Sequence, residues 1–378
     1  MSTAARSGGR GAPVRRMLAA LVALVLLVGG TGAAAAQPPP PAADRADRTV
    51  TIMSRNLYLG ADLSPIFGAA DLGELLAVVP VVWNQILATD FPARAEALAD
   101  EVVDTRPDLI GLQEVTRYST APLNDPGNET VVLDFLEILM AELADRGQAY
   151  RVVVEIENFN GVQPNLAIGA FLRLVDRDVI LARTDRQAGE LMVSNPQSSN
   201  FETNLAIPVS FQEEPLVVLR GWVAVDVKTR GLMFRFVNTH LEAFDPLPVE
   251  GLRRAQVAEL LAGPLDTRLP VVLAGDINSA APDGPAYQLL LSAGLWDPWT
   301  VLRPGEPGFT CCHDADLRNE EPDLRSRIDV VLASRGFRAV SVEVVGDGVG
   351  DRIAGLWPSD HAGVVATLIL DPPRSGSR

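Results

Sequence analysis

The sequence predicts an α/β fold with more than one β-sheet. Three observations carry this expectation. Short runs rich in Val, Ile and Leu, bounded by Gly, Pro, Asn or Asp, recur along the chain as strands do. Longer stretches with apolar residues at three- and four-residue steps lie among them as helices do. The two kinds of segment alternate over most of the length, which implies helices layered on sheets. At 378 residues the chain is long for one domain and too short for two large ones.

The first segment is read as a signal and not as part of the fold. Arg6, Arg10, Arg15 and Arg16 form a basic start, an apolar run follows from Met17 to Gly30, and small residues end in an Ala-x-Ala pattern at Ala34 and Ala36. That order is a secretory signal peptide over residues 1–36, cleaved near Gln37, and it predicts a secreted protein. The competing reading is an uncleaved membrane anchor, but the run is shorter than the roughly 20 residues a spanning helix needs. Residues 37–47 read as a Pro-rich linker and 371–378 as a flexible tail, leaving one catalytic domain over 48–370. No internal repeat is visible.

Strands are expected at Val50–Ser54, Leu109–Leu112, Arg151–Glu155, Asp178–Ala182, Leu216–Val227, Leu232–Asn238, Val271–Ala274, Ile328–Leu332, Val340–Val345 and Val364–Leu370. Helices are expected at Arg94–Thr105, Val131–Arg146, Leu252–Ala262 and Ala286–Ala293. In the second of these, Leu133, Leu136, Leu139, Met140 and Leu143 repeat at helical spacing and Gly147 follows as a stop. The apolar stretch Leu57–Phe91 reads as core helices. A second reading makes it a hydrophobic lip beside the cleft, with Trp83 at a lipid interface.

Charge and cysteine content narrow the function. The formal net charge is −16; residues 1–36 hold four basic residues and no acidic one, so the mature chain would carry about −20. Such a surface repels polyanions at long range, which argues against tight, sequence-independent nucleic-acid binding. A local cleft with metal ions overrides that sign, so nucleases stay in view. The only cysteines, Cys311 and Cys312, are adjacent. They cannot staple distant segments. A vicinal disulfide, two buried thiols and an intermolecular bridge remain open, while zinc is disfavoured by the spacing.

Polar residues collect at the strand ends. Asn56 follows the first strand, Glu114 the second in Leu-Gln-Glu-Val, His240 ends Asn-Thr-His-Leu, Asp276 and Asn278 form Gly-Asp-Ile-Asn, Asp329 lies in Arg-Ile-Asp-Val, and Asp360 and His361 form Ser-Asp-His. A polar residue just beyond a buried strand is held rigidly yet faces a cleft, and several such strands converge their tips on one site. Two of the chain's three histidines fall in these segments. Each motif alone has a plainer reading: a solvated acid at Glu114, an Asx turn at Asp276 and Asn278, an ion pair between Asp329 and Arg327, a surface-loop histidine at His313. The ordered set is what resists such readings.

That order resembles the endonuclease/exonuclease/phosphatase superfamily, from Asn56 to about Leu370. The resemblance implies a four-layered α/β sandwich, with two mixed β-sheets packed face to face and helices outside. It also implies a Mg²⁺ cofactor, with Mn²⁺ as an alternative, held by Glu114, Asp360 and Asn56. Asp276 and Asn278 would orient the attacking water and the phosphate oxygens, with Asn56 and Asn278 contacting substrate. His361 would contact the phosphate and pair with Asp329, and His240 would protonate the leaving oxygen or stabilise its charge. The acid or Tyr that assists the first His in nuclease members has no clear match here; Asn158, Asn160, Asn165 and Asp178 are open for it. Leu57 and Tyr58 after Asn56 weaken an abasic-site endonuclease reading.

The chemistry is coherent without the family. A hard cation on carboxylates neutralises a phosphate ester's charge, a His with an acidic partner moves a proton, and amides orient oxygens without adding repulsion. The expectation is therefore a secreted, metal-dependent phosphoric ester hydrolase, a phosphodiesterase acting on nucleic acid or a phospholipid headgroup. It is expected to be a monomer without a stable protein partner. The alternative is a non-catalytic binding protein that keeps the fold and cleft.

Overall fold

The computed structural model describes residues 48–187, 189–209, 213–244 and 249–372. The expected signal peptide, the linker and most of the tail lie outside them. The strands are β1 (Thr49–Asn56), β2 (Leu109–Gln113), β3 (Arg117–Pro122), β4 (Thr130–Asp134), β5 (Tyr150–Asn165), β6 (Ala170–Arg183), β7 (Met192–Asn200), β8 (Leu205–Ile207), β9 (Leu216–Val218), β10 (Gly221–Thr229), β11 (Leu232–His240), β12 (Val271–Ala281), β13 (Arg327–Ala333), β14 (Phe337–Val345) and β15 (Gly363–Leu370). The helices are α1 (Ser64–Phe67), α2 (Leu72–Ala88), α3 (Phe91–Thr105), α4 (Phe135–Asp145), α5 (Glu250–Ala262), α6 (Pro285–Ser292) and α7 (Pro298–Leu302).

One sheet runs β14-β15-β1-β2-β6-β3-β4, with β5 paired to β6, and the other runs β13-β12-β11-β10-β7. Both are mixed. Each holds one parallel pair, β1 with β2 and β11 with β12, among antiparallel neighbours. A parallel pair needs a crossover to bring the chain back to the same end. α1 to α3 serve the first pair and α5 the second.

The four layers follow from the two-residue period of the strands. Ile52, Ile180, Phe236 and Val272 face the partner sheet and share one core with Val223, Val225 and Val331. Their neighbours point the other way. Met53 and Leu181 pack under Trp83, Leu98 and Leu139 from α2, α3 and α4. Val237 and Leu273 pack under Val257, Tyr287 and Leu290 from α5 and α6. This is the expected sandwich, helix on sheet on sheet on helix.

Several expected boundaries move. Val131 and Val132 belong to β4, because Asp134 ends that strand and caps α4, its carboxylate accepting from Leu136 N–H at 3.1 Å and Glu137 N–H at 3.4 Å. The expected strand Leu216–Val227 is two strands in different sheets, β9 and β10, broken at Leu219 and Arg220. Arg151–Glu155 is a small part of the 16-residue β5. The Leu57–Phe91 stretch is mainly core: Leu75, Val79, Val82, Trp83 and Ile86 are buried in α2. Trp83 is 5 % exposed, with its ring edge-on to Tyr118 at 5.8 Å, which removes it from any interface. The half-buried residues just before α2, Leu63, Ile66 and Phe67, face a cleft instead.

Candidate active site

The ends of β1, β2 and β11, the middle of β12 and the starts of β13 and β15 meet along one edge of the sandwich. Asn238 of β11 ties the two sheets just below it. Its amide donates to Leu112 O at 2.9 Å and Val179 O at 3.1 Å in the other sheet, and accepts from Gln113 Nε2 at 2.6 Å. Gly111 makes room for it, since a Cβ there would lie 2.6 Å from Asn238 Oδ1. Gly275 is required for a similar reason, a Cβ there meeting Thr239 O at 2.1 Å.

At the edge itself, Asn56 bridges the sheets. Its Nδ2 donates to Glu114 Oε1 at 3.0 Å and Asp276 Oδ2 at 3.2 Å, while its Oδ1 accepts from Tyr58 N–H at 2.9 Å. Asn56 thus offers the carboxylates a donor. Glu114 stands one residue past β2 with φ of +55°, and its Oε2 accepts from Leu59 N–H at 2.7 Å. Asn278 has φ of +48°; its N–H donates to Asp276 Oδ1 at 2.9 Å and its Nδ2 to Leu241 O at 3.0 Å. Positive φ outside glycine is disfavoured and persists where surrounding contacts fix it, which happens most at functional sites.

His361 is the hub of the second half. Its Nδ1 lies 2.8 Å from Asp329 Oδ2, and its Nε2 lies 3.8 Å from Asp276 Oδ2 and 3.9 Å from Asp360 Oδ1. Asp329 is free for this role because Arg327 pairs with Asp297 at 2.6 Å, so the plainer Asp329–Arg327 reading fails. Burial works against an imidazolium here, but Asp329, Asp360 and Asp276 outweigh it and hold His361 well above its ordinary pKa. The reverse holds at His240, which burial, Arg220 and His361 push well below the ordinary value. His240 Nε2 lies 3.5 Å from Asp276 Oδ2 and has no hydrogen-bond partner among the described residues.

Asp276 is pushed up to about 7 by burial and by Asp329, with His361 opposing. Asp360 is pushed up to about 6, mainly by burial. Its loop is held by Arg94, fully buried, whose guanidinium donates to the carbonyls of Leu57, Tyr58, Thr89 and Pro358.

Three side chains at this edge carry no motif in the sequence. Arg220 sits between β9 and β10, with Nη1 3.1 Å from His240 Nδ1 and Nη2 3.6 Å from Glu242 Oε1. Asp176 lines the cleft from β6 and is pushed up to about 7 by burial and Glu114. Glu242 follows His240 by two residues and is also buried. The one signal for Arg220 was a lone cation inside an apolar run, followed by Gly221, where a Cβ would meet Ser199 O at 2.7 Å.

Of the residues open for the assisting role, Asp178 and Asn158 form a buried pair at 2.7 Å, and Asn160 and Asn165 lie further along the β5–β6 hairpin. His313 is not a surface-loop residue. It is 5 % exposed, stacks on Trp357 at 4.0 Å, and accepts at Nδ1 from Asn319 Nδ2 at 3.0 Å. Cys311 and Cys312 form a vicinal disulfide, with Cys312 Sγ 3.9 Å from His361 Nε2.

Of these groups, Glu114, Asp176, Arg220, Glu242, His313 and Asp360 line a cleft of about 890 Å³, together with apolar residues. The carboxylates Glu114, Asp176, Asp276, Asp329 and Asp360 outnumber the cationic groups Arg220 and His361 around this edge. The raised pKa values of Asp176, Asp276 and Asp360 report that imbalance together with burial. A hard divalent cation with oxygen ligands suits this donor set.

A profile of the Endonuclease/Exonuclease/phosphatase family matches residues 82–361. No curated protein matches the chain. Among solved structures, an endonuclease/exonuclease/phosphatase family protein from Bacteroides thetaiotaomicron is similar with TM-score 0.52 and 18 % identity, over 86 % of this chain and 98 % of that one. A protein of the same description from Beutenbergia cavernae gives 0.50 and 22 %, over 88 % and 74 %. The human Nocturnin catalytic domain, solved with a bound sulfate anion, gives 0.50 and 15 %, over 85 % and 95 %. At these identities the likeness is one of fold.

Proposed function

The chain belongs to the Endonuclease/Exonuclease/phosphatase family, whose members hydrolyse phosphate esters, and from that premise we propose that it is a secreted, Mg²⁺-dependent phosphodiesterase. The observation that carries the reading is the 2.8 Å contact of His361 Nδ1 with Asp329 Oδ2, which sets His361 Nε2 beside the carboxylates of Asp276 and Asp360. Glu114 and Asp360 would hold the cation, Mg²⁺ or in its place Mn²⁺, with Asn56 orienting Glu114. When bound, the cation neutralises phosphate charge and polarises the P–O bonds.

The chain's own residues supply the rest. Asp276, with its pKa near 7, is poised to accept a proton from the attacking water at neutral pH. Asn278 braces Asp276 through its N–H. The His361 imidazolium, fixed at Nδ1 by Asp329, turns Nε2 and positive charge toward a phosphate oxygen. His240 stays neutral and turns an Nε2–H toward the same place, which stabilises charge on oxygen without adding a cation.

The test is turnover by the mature protein with Mg²⁺ on plasmid DNA, RNA, sphingomyelin, phosphoinositides and a chromogenic phosphodiester, each repeated in excess chelator. Turnover of at least one ester, abolished by chelation, is expected. No turnover on any of them, or full turnover in chelator, overturns the reading.

A further inference from the structure

The cleft carries more apolar wall than a phosphate needs. Leu63, Phe67, Phe159 and Leu174 line it and also line a smaller apolar annex of about 70 Å³, with Trp83 and Tyr118 behind. The two spaces therefore share these four walls. Phe67 stands edge-on to Phe159 at 6.4 Å and to Phe244 at 5.4 Å, so α1, the β5–β6 hairpin and the loop after β11 meet in one aromatic contact. Gly161 permits it: a Cβ there would lie 2.5 Å from the Phe159 ring, which folds over that position.

Charge on the same wall points the same way. Among the described residues lining the cleft, Arg220 is the one Lys or Arg, and Glu242 and His240 already face it. Asp62, Glu114, Asp176, Glu242 and Asp360 are the others with charge. A substrate with several phosphates would meet one cation against five carboxylates in the cleft, and Arg173, which lines the annex, already pairs with Glu129, while polyanion recognition relies on Lys and Arg. Leu63 and Phe67, by contrast, are left half-buried, an arrangement that favours an apolar ligand over water.

We propose that the cleft takes an ester with a single phosphate whose alcohol carries an apolar group, and that this group seats in the annex walled by Leu63, Phe67, Phe159 and Leu174. The inference rests on the phosphoesterase reading for the phosphate half of the ligand. An alkyl chain and an aromatic ring share the required chemistry.

Binding tests it independently of turnover. Calorimetry on the mature chain with Mg²⁺ would use methyl, butyl, hexyl, octyl and phenyl phosphate, with inositol trisphosphate and a short oligonucleotide for comparison. Affinity should rise about two- to fourfold per added methylene over the first carbons and then level as the annex fills. Phenyl phosphate binding as tightly as hexyl phosphate would assign the annex to a ring, and weaker binding would assign it to a chain; either supports an apolar subsite. Phe67→Ser should flatten the chain-length slope. Leu63→Gln, at a half-exposed position, should do the same if the first variant fails to fold. A flat series in the parent protein, or tighter binding of the trisphosphate or oligonucleotide than of octyl phosphate, overturns the proposal. A preserved slope without turnover of any ester leaves this subsite standing and overturns the hydrolase reading alone.

Discussion

Arg220 directs Nη1 at Nδ1 of His240 across 3.1 Å. A guanidinium has only donors, so Nδ1 must accept and the ring proton must sit on Nε2, the nitrogen facing Asp276. Arg220 is thus a positioning residue for His240, setting its tautomer and helping to keep it neutral. Arg220→Met should release the ring to the other tautomer and lower kcat by roughly 10- to 100-fold, the lower part of the range for a proton-handling group. Arg220→Lys should recover part of the loss. Ring ¹⁵N shifts of His240 report the tautomer directly, and an unchanged tautomer in Arg220→Met would show that Arg220 has some other role.

Glu114→Gln should remove nearly all divalent-dependent turnover and leave the fold intact. The amide keeps the shape and can still accept one of the two hydrogen bonds from Asn56 and Leu59, but it supplies no charge to a cation. Metal titration of turnover, beside thermal unfolding of both proteins, checks it. Parent-like activity at equal Mg²⁺ would remove Glu114 from the cation site.

His240→Ala and His361→Ala should each lower kcat by about 10²- to 10⁴-fold. His313→Ala should act differently, losing the Trp357 stack and hence thermal stability more than turnover. Its pKa, lowered to about 4 chiefly by burial, keeps it neutral at working pH. Equal losses of kcat in all three variants would contradict this division of roles.

Asp176 makes a prediction about pH. Its folded pKa of about 7 lies above the ordinary 3.8. Between those values the unfolded chain gives up a proton that the folded chain keeps, so this group's contribution to stability falls as pH rises from about 4 to about 7. Asp176→Asn removes that dependence. In chelator its melting temperature should exceed the parent's at pH 8 by more than at pH 5. A difference constant with pH, or one that grows toward acid, would be inconsistent with a buried, elevated Asp176.

The sandwich was legible because Ile52 and Met53, or Val272 and Leu273, alternate between two apolar environments, and that alternation is written in the chain. The gathered site residues were legible because most of them lie at or just beside a strand end, and Asp276 and Asn278 lie where β12 runs past the end of β11. What escaped depends on pairing that local sequence does not encode. Arg220 reaches His240 only because Gly221 pairs with it across β10 and β11. β7 is polar and contains Pro196, and it forms because it is an edge strand that pairs on one side, with the proline at a register shift. His313 reads as a loop residue until Trp357, far along the chain, closes over it.

The tie made by Asn238 in the notch left by Gly111 has a consequence for how the site works. Glu114 and Asn56 ride on one sheet, His240 and Asp276 on the other, so any sliding of one sheet over the other would pull the two halves of the chemistry out of alignment. A side chain from one sheet, locked onto two carbonyls of the other directly beneath the reacting groups, blocks that shear. The two halves of the candidate site are therefore brought into alignment once, as the chain folds, and the tie holds them there.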